Sequence, residues 1–145
     1  MSEEQEQINF FSETDFSLEN EAGHRQWLER VADSEERGVE EINFIFCDDE
    51  YLHKINLQYL DHDTYTDIIS FDNSQGDLLA GDIFISIERV KENALQYDVA
   101  FGDELKRVLV HGILHFCGYK DKSESEAQTM RQKEDDKIAM FHVEQ

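Results

Sequence analysis

The sequence predicts an α+β domain with a small four-stranded mixed sheet and about five helices, and three observations carry that expectation. Four short runs, "INFFSE", "EINFIFCD", "TDIISFD" and "GDIFISI", are rich in the β-branched and aromatic residues that suit strands. Between them lie longer stretches with apolar residues at helical spacing, in irregular alternation with the strands. The length of 145 residues suits one domain spanning 1–145, without repeats or Gly/Ser-rich linkers to divide it.

Taken in order, Ile8–Glu13 reads as a strand. From Leu18 to Arg37 the positions Leu18, Ala22, Trp27, Leu28, Val31 and Ala32 form a helical face, with Gly38 where a left-handed cap is expected. "EINFIFCD" alternates Ile42, Phe44 and Phe46 with Ile45 and Cys47, the pattern of a buried strand. "DEYLHKINLQYL" is a helix with Leu52, Ile55, Leu57 and Tyr59 to bury. Two strands, "TDIISFD" and "GDIFISI", precede two helices divided near Gly102. A last helix starts at Ser123, where Ser123 and Glu126 have capping-box spacing.

The formal net charge is −21, which opposes nucleic acid as a partner unless cations gather locally. The N-terminus lacks a secretory pattern and no apolar run reaches membrane-spanning length, so a cytoplasmic protein is expected. Cys47 and Cys117 sit in apolar runs without C-x-x-C spacing and read as buried, reduced thiols.

The stretch "FGDELKRVLVHGILHFCG" carries the chemistry. At about 100° per residue, Leu105, Leu109, Ile113 and Phe116 cover one side and Val110 and Leu114 another. Glu104, Arg107, His111 and His115 share the remaining arc, with Val108 at its margin. A helix apolar around most of its circumference belongs inside the domain, and its polar arc opens into a cleft. His111 and His115 have the spacing that lets two imidazoles reach one metal ion, although two surface histidines would look the same. Gly118 ends the helix and turns the chain back, and Asp121 is the first residue beyond it with a metal-binding side chain. Two nitrogens, one carboxylate and an open position suit a catalytic zinc ion, one per chain. Cys117 points about 160° away from His115 and is left out. The usual H-E-x-x-H helix has its general base between the histidines, and here Gly112 holds that position.

"VHGILHFCGYKD", with "TDIISF" and "GDIFIS" upstream in the same order, resembles the YbeY family of bacterial rRNA-maturation endoribonucleases. The resemblance runs from the strand at Ile42 to the C-terminal helix. It implies a zincin-like fold with the metal site on a central helix, and metal-dependent cleavage of single-stranded RNA. It further implies a role in processing the 16S rRNA 3′ end and maturing the small ribosomal subunit, with a small-subunit ribosomal protein and an assembly GTPase as partners. Two positions depart from the family pattern. Its third histidine ligand falls at Asp121, preceded by Lys120, and a carboxylate there also admits iron or manganese in place of zinc. Its arginine after the tyrosine of the preceding helix end falls at Leu60, and His62 is either a partial substitute or a loop residue.

Arg107 is either the cation for a substrate phosphate, and so a candidate catalytic residue, or the partner of Glu104 or Asp103. Lys120 and Lys122 either add positive potential at the cleft mouth or are ordinary surface lysines. Asp67 and Asp82 are each either cleft or turn carboxylates, and no general base is assigned. His24, His53 and His142 read as surface residues. Two alternatives to the nuclease stand: a zincin-like peptide hydrolase, and a non-catalytic metal-binding ribosome assembly factor.

Overall fold

Why the His-bearing helix sits at the centre follows from which faces of the sheet it and its neighbours cover. The computed structural model describes residues 7–60 and 66–143, so His62 lies outside the described residues, as does the side chain of His142. Nine elements follow in chain order: β1 (Ile8–Ser12), α1 (Glu21–Ser34), β2 (Gly38–Cys47), α2 (Asp49–Leu60), β3 (Ile68–Asp72), β4 (Leu78–Ser86), α3 (Ile87–Tyr97), α4 (Phe101–Phe116) and α5 (Glu124–Val143). The sheet order is β1-β2-β4-β3, with β3 alone antiparallel at its edge, which is the expected four-stranded mixed sheet. No described helix is long and apolar enough to cross a membrane.

Strand alternation sends two sets of side chains to opposite faces. Ile42, Phe44 and Phe46 of β2, with Ile83 and Ile85 of β4, meet Trp27, Leu28 and Val31 of α1 and Leu105, Leu109 and Ile113 of α4 in the main core. On the other face, Cys47 and Ile69 pack with Leu52 and Ile55 of α2. Leu109, Val110, Ile113 and Leu114 are fully buried, and each contributes about 1.5–3 kcal/mol by leaving water. Gly112 lets this helix lie close against the sheet. A Cβ there would stand 2.9 Å from the Ile83 Cδ1 and 3.4 Å from the Ile68 Cδ1.

Several sequence expectations are corrected. Gly38 opens β2 instead of capping α1; the left-handed residue is Glu36, at φ 59°. The helix ends because Arg37 N–H donates to the Ala32 carbonyl and Glu36 N–H to that of Asp33, a double closure that does not need Gly38. Leu57 and Tyr59 are exposed, because α2 turns Leu52, Ile55 and Asn56 inward at i, i+3 and i+4 spacing. His24 is buried beside Trp27 and Phe141, with its Nδ1 at 2.9 Å from the Asn20 carbonyl oxygen. Both cysteines are buried and free, as expected.

Candidate metal centre

The site begins with the end of α4. Gly118 takes φ 104°, and the N–H groups of Gly118 and Tyr119 donate to the carbonyls of His115 and Leu114. This closure is what the glycine predicts. It brings the Tyr119 carbonyl to 2.9 Å from His115 Nδ1 and sends the following residues back over the histidines. Asp121 then lies with Oδ2 at 3.2 Å from His111 Nε2 and 3.5 Å from His115 Nε2. The imidazole centroids are 4.5 Å apart, and ligand atoms of all three residues fall within 4.8 Å of one another. Among the described residues this is the one such group.

The outward-facing nitrogens are also engaged. His111 Nδ1 is 2.6 Å from Glu134 Oε2, on α5, while the Tyr119 carbonyl engages His115. A carboxylate or carbonyl at Nδ1 fixes the tautomer that leaves the Nε2 lone pair free, the usual support for a metal-binding histidine. Burial opposes protonation of His111, but its hydrogen bond and attraction to Glu134, with Asp121 and Asp67 nearby, hold its pKa above the ordinary imidazole value. Two imidazole nitrogens and a carboxylate oxygen, aimed at one point with supporting partners behind them, fit a divalent transition metal ion.

Glu134 is placed by α5, whose start is the expected capping box: Glu126 N–H donates to Ser123 Oγ and Ser123 N–H to Glu126 Oε1. The helix is pinned further along by Glu35, which accepts from Tyr119 Oη at 2.8 Å and pairs with Lys133 and Lys137. Burial would raise the Glu35 pKa, but hydrogen bonds from Lys137, Tyr119 and Lys133 outweigh it and pull it from 4.5 to about 2. Trp27 Nε1 donates to the Lys137 carbonyl, adding a buried tie.

His111 and Asp121 open onto a cleft of about 790 Å³. Its wall includes Asp67, Glu104, Arg107, Arg131 and Glu134, so acids outnumber cations there. Arg107 does face the cleft, but its guanidinium donates to Glu134 Oε1 at 2.8 Å and Asp135 Oδ1 at 2.7 Å, not to Glu104 or Asp103. Arg131 makes no side-chain hydrogen bond among the described residues, but it attracts Glu104 across the cleft wall. Lys120 and Lys122 are exposed beside Asp121, outside the cleft wall. Asp67 belongs to the cleft, where burial pushes its carboxyl above the usual range despite the nearby His111. Asp82 does not: it accepts from Asn43 Nδ2 across β2 and β4, in a row continued by Asn9. Leu60 is exposed at the end of α2. Sequence reasoning missed Glu134 and Arg131. Their one sequence signal is the i, i+3 spacing that gives them a common face on the last helix.

Residues 3–142 match the family described as Endoribonuclease YbeY. Proteins named Endoribonuclease YbeY from Christiangramia forsetii and Flavobacterium johnsoniae are 63% and 64% identical, over 98% and 95% of this chain and 99% of each relative. The counterpart from Cytophaga hutchinsonii is 50% identical over 94% of this chain and 96% of its own. The solution structure of TM1509 from Thermotoga maritima superposes with a TM-score of 0.70 at 26% identity, covering 94% of this chain and 90% of that one. With nearly full-length matches at this identity, the chain belongs to the YbeY family of endoribonucleases.

Proposed function

We propose that the protein is a metal-dependent endoribonuclease for single-stranded RNA, acting in the cytoplasm on rRNA at the 16S 3′ end during small-subunit maturation. His111, His115 and Asp121 hold one divalent ion, zinc in the first instance. The observation that carries the reading is the convergence of two Nε2 atoms and one carboxylate at the cleft, with both Nδ1 atoms engaged behind them. The name shared by relatives of 50–64% identity supports RNA as the substrate. Partnership with a small-subunit ribosomal protein and an assembly GTPase follows from the same family resemblance.

A bound divalent ion supplies Lewis acidity toward a phosphoryl oxygen and a local positive charge. The chain's own residues do the rest. Glu134 holds His111 in its ligating tautomer, and Arg107 holds Glu134. Arg131, the cation in the cleft wall with no carboxylate hydrogen bond among the described residues, takes a substrate phosphate. Arg107 thus serves as a positioning residue rather than as the phosphate cation. A peptide hydrolase built on H-E-x-x-H is disfavoured, because position 112 faces Ile83 and Ile68 across a gap too narrow for a glutamate. The test is metal content by elemental analysis together with cleavage of a short single-stranded RNA, with and without chelator. One equivalent of metal and chelator-sensitive cleavage are expected. Metal without cleavage would favour the non-catalytic assembly factor.

A further inference from the structure

The cleft contains a carboxylate that the metal centre does not use. Glu104, in the first turn of α4, is only 6% exposed, yet it lines the cleft and has no hydrogen bond or ion pair among the described residues. Its carboxylate oxygens are not sealed from solvent: they meet the cleft, where a donor from outside can replace water. Burial pushes its carboxyl above the usual range, against the attraction of Arg107 and Arg131. On the same wall Tyr97, the last residue of α3, is 60% exposed. Its ring packs on no aromatic or cationic group among the described residues. Arg131, which attracts Glu104 electrostatically, completes the wall.

An open aromatic face, an acceptor-only carboxylate and a guanidinium on one cleft wall match the three parts of a nucleotide: base face, base edge and phosphate. On the reading of the protein as an endoribonuclease, we infer that Glu104 and Tyr97 form a guanine-selective nucleobase subsite beside the metal centre. The chemistry of the base edges selects guanine. Its N1–H and N2–H₂ lie side by side and match the two oxygens of a carboxylate. Uracil presents one N–H between two carbonyl oxygens, which a carboxylate repels. Adenine and cytosine each offer an amino group beside an acceptor nitrogen. Tyr97 supplies stacking, which every base accepts, and Glu104 supplies the discrimination.

The experiment titrates GMP, IMP, AMP, CMP and UMP into the metal-loaded protein, followed by NMR shifts. These nucleotides share ribose and phosphate, so only the base differs. GMP should bind about tenfold or more tightly than UMP, the scale of one bidentate contact, with IMP weaker than GMP because it lacks the N2 amino group. In Glu104→Gln the GMP advantage should collapse, and in Tyr97→Ala all five should weaken together. Melting curves establish that the variants fold, and the wild-type preference stands as a test without them. Equal affinity for GMP and UMP in the wild type, or a GMP preference kept in folded Glu104→Gln, overturns the subsite. The nuclease reading fails separately, if the metal-loaded protein cleaves no RNA while the nucleotide preference persists. Cleavage with binding indifferent to base leaves the nuclease and removes the subsite.

Discussion

Glu134 Oε2 lies 2.6 Å from His111 Nδ1, while its other oxygen accepts from Arg107, so one buried carboxylate joins α5 to the candidate metal centre on α4. Removing it should loosen the site without removing a ligand. Glu134→Ala is expected to lower metal affinity about 10- to 100-fold. Glu134→Gln, which keeps an acceptor oxygen, should lose less. Competition against a chromophoric chelator measures both, and unchanged affinity in Glu134→Ala would show that His111 needs no such support.

The Glu35 network makes a second prediction, about acid stability. Its folded pKa of about 2 lies below the unfolded value near 4.5, so its contribution is complete above about pH 4.5. It is lost as pH falls toward about 2, and at neutral pH it amounts to about 3 kcal/mol. Glu35→Gln should therefore be destabilised at pH 7, and its gap from the wild type should narrow by about 1 kcal/mol at pH 3.5. Urea unfolding at the two pH values checks this.

Gly112 gives a third test, because it separates the nuclease from a peptide hydrolase of the H-E-x-x-H kind. Gly112→Glu restores that motif but drives a charged chain against Ile83 and Ile68. A loss above about 4 kcal/mol, seen as failure to fold, is expected. A folded variant that gained peptidase activity would contradict the packing argument.

The salt dependence of RNA binding tests the basic contacts. A chain of net charge −21 has few cations to spare near the cleft, so few phosphates should be neutralised. With Arg131, Lys120 and Lys122 as the contacts, the slope of log K against log salt should be near −2, at about −0.7 per phosphate on a single strand. Arg131→Ala should make it shallower by about 0.7. A slope reporting six or more phosphates, unchanged in Arg131→Ala, would place the basic surface elsewhere.

What the sequence made legible was local. His111 and His115, the turn at Gly118 and the capping box at Ser123 each rest on spacings of a few residues, and backbone geometry turns those spacings into structure. The α1 terminus was misread because Glu36 takes a left-handed conformation that sequence habit assigns to the nearby glycine. Leu57 and Tyr59 were misplaced because their alternation is not the inward face of α2. Glu134 and Arg131 were hidden because α5 is polar along most of its length. Which of its acids meets His111 depends on docking across 23 residues of chain, not on local pattern. Arg107 was visible as a cleft residue, but its carboxylate partners came from that same distant helix.

The central claim is that Asp121 completes one metal site with His111 and His115. It is tested most directly by metal stoichiometry, measured by elemental analysis on wild type, Asp121→Ala and Asp121→His after dialysis at micromolar free zinc. One ion per chain is expected for the wild type and for Asp121→His, since zinc accepts a nitrogen in that place, with a sharp loss in Asp121→Ala. Full occupancy in Asp121→Ala would contradict the account and assign the third ligand to another residue.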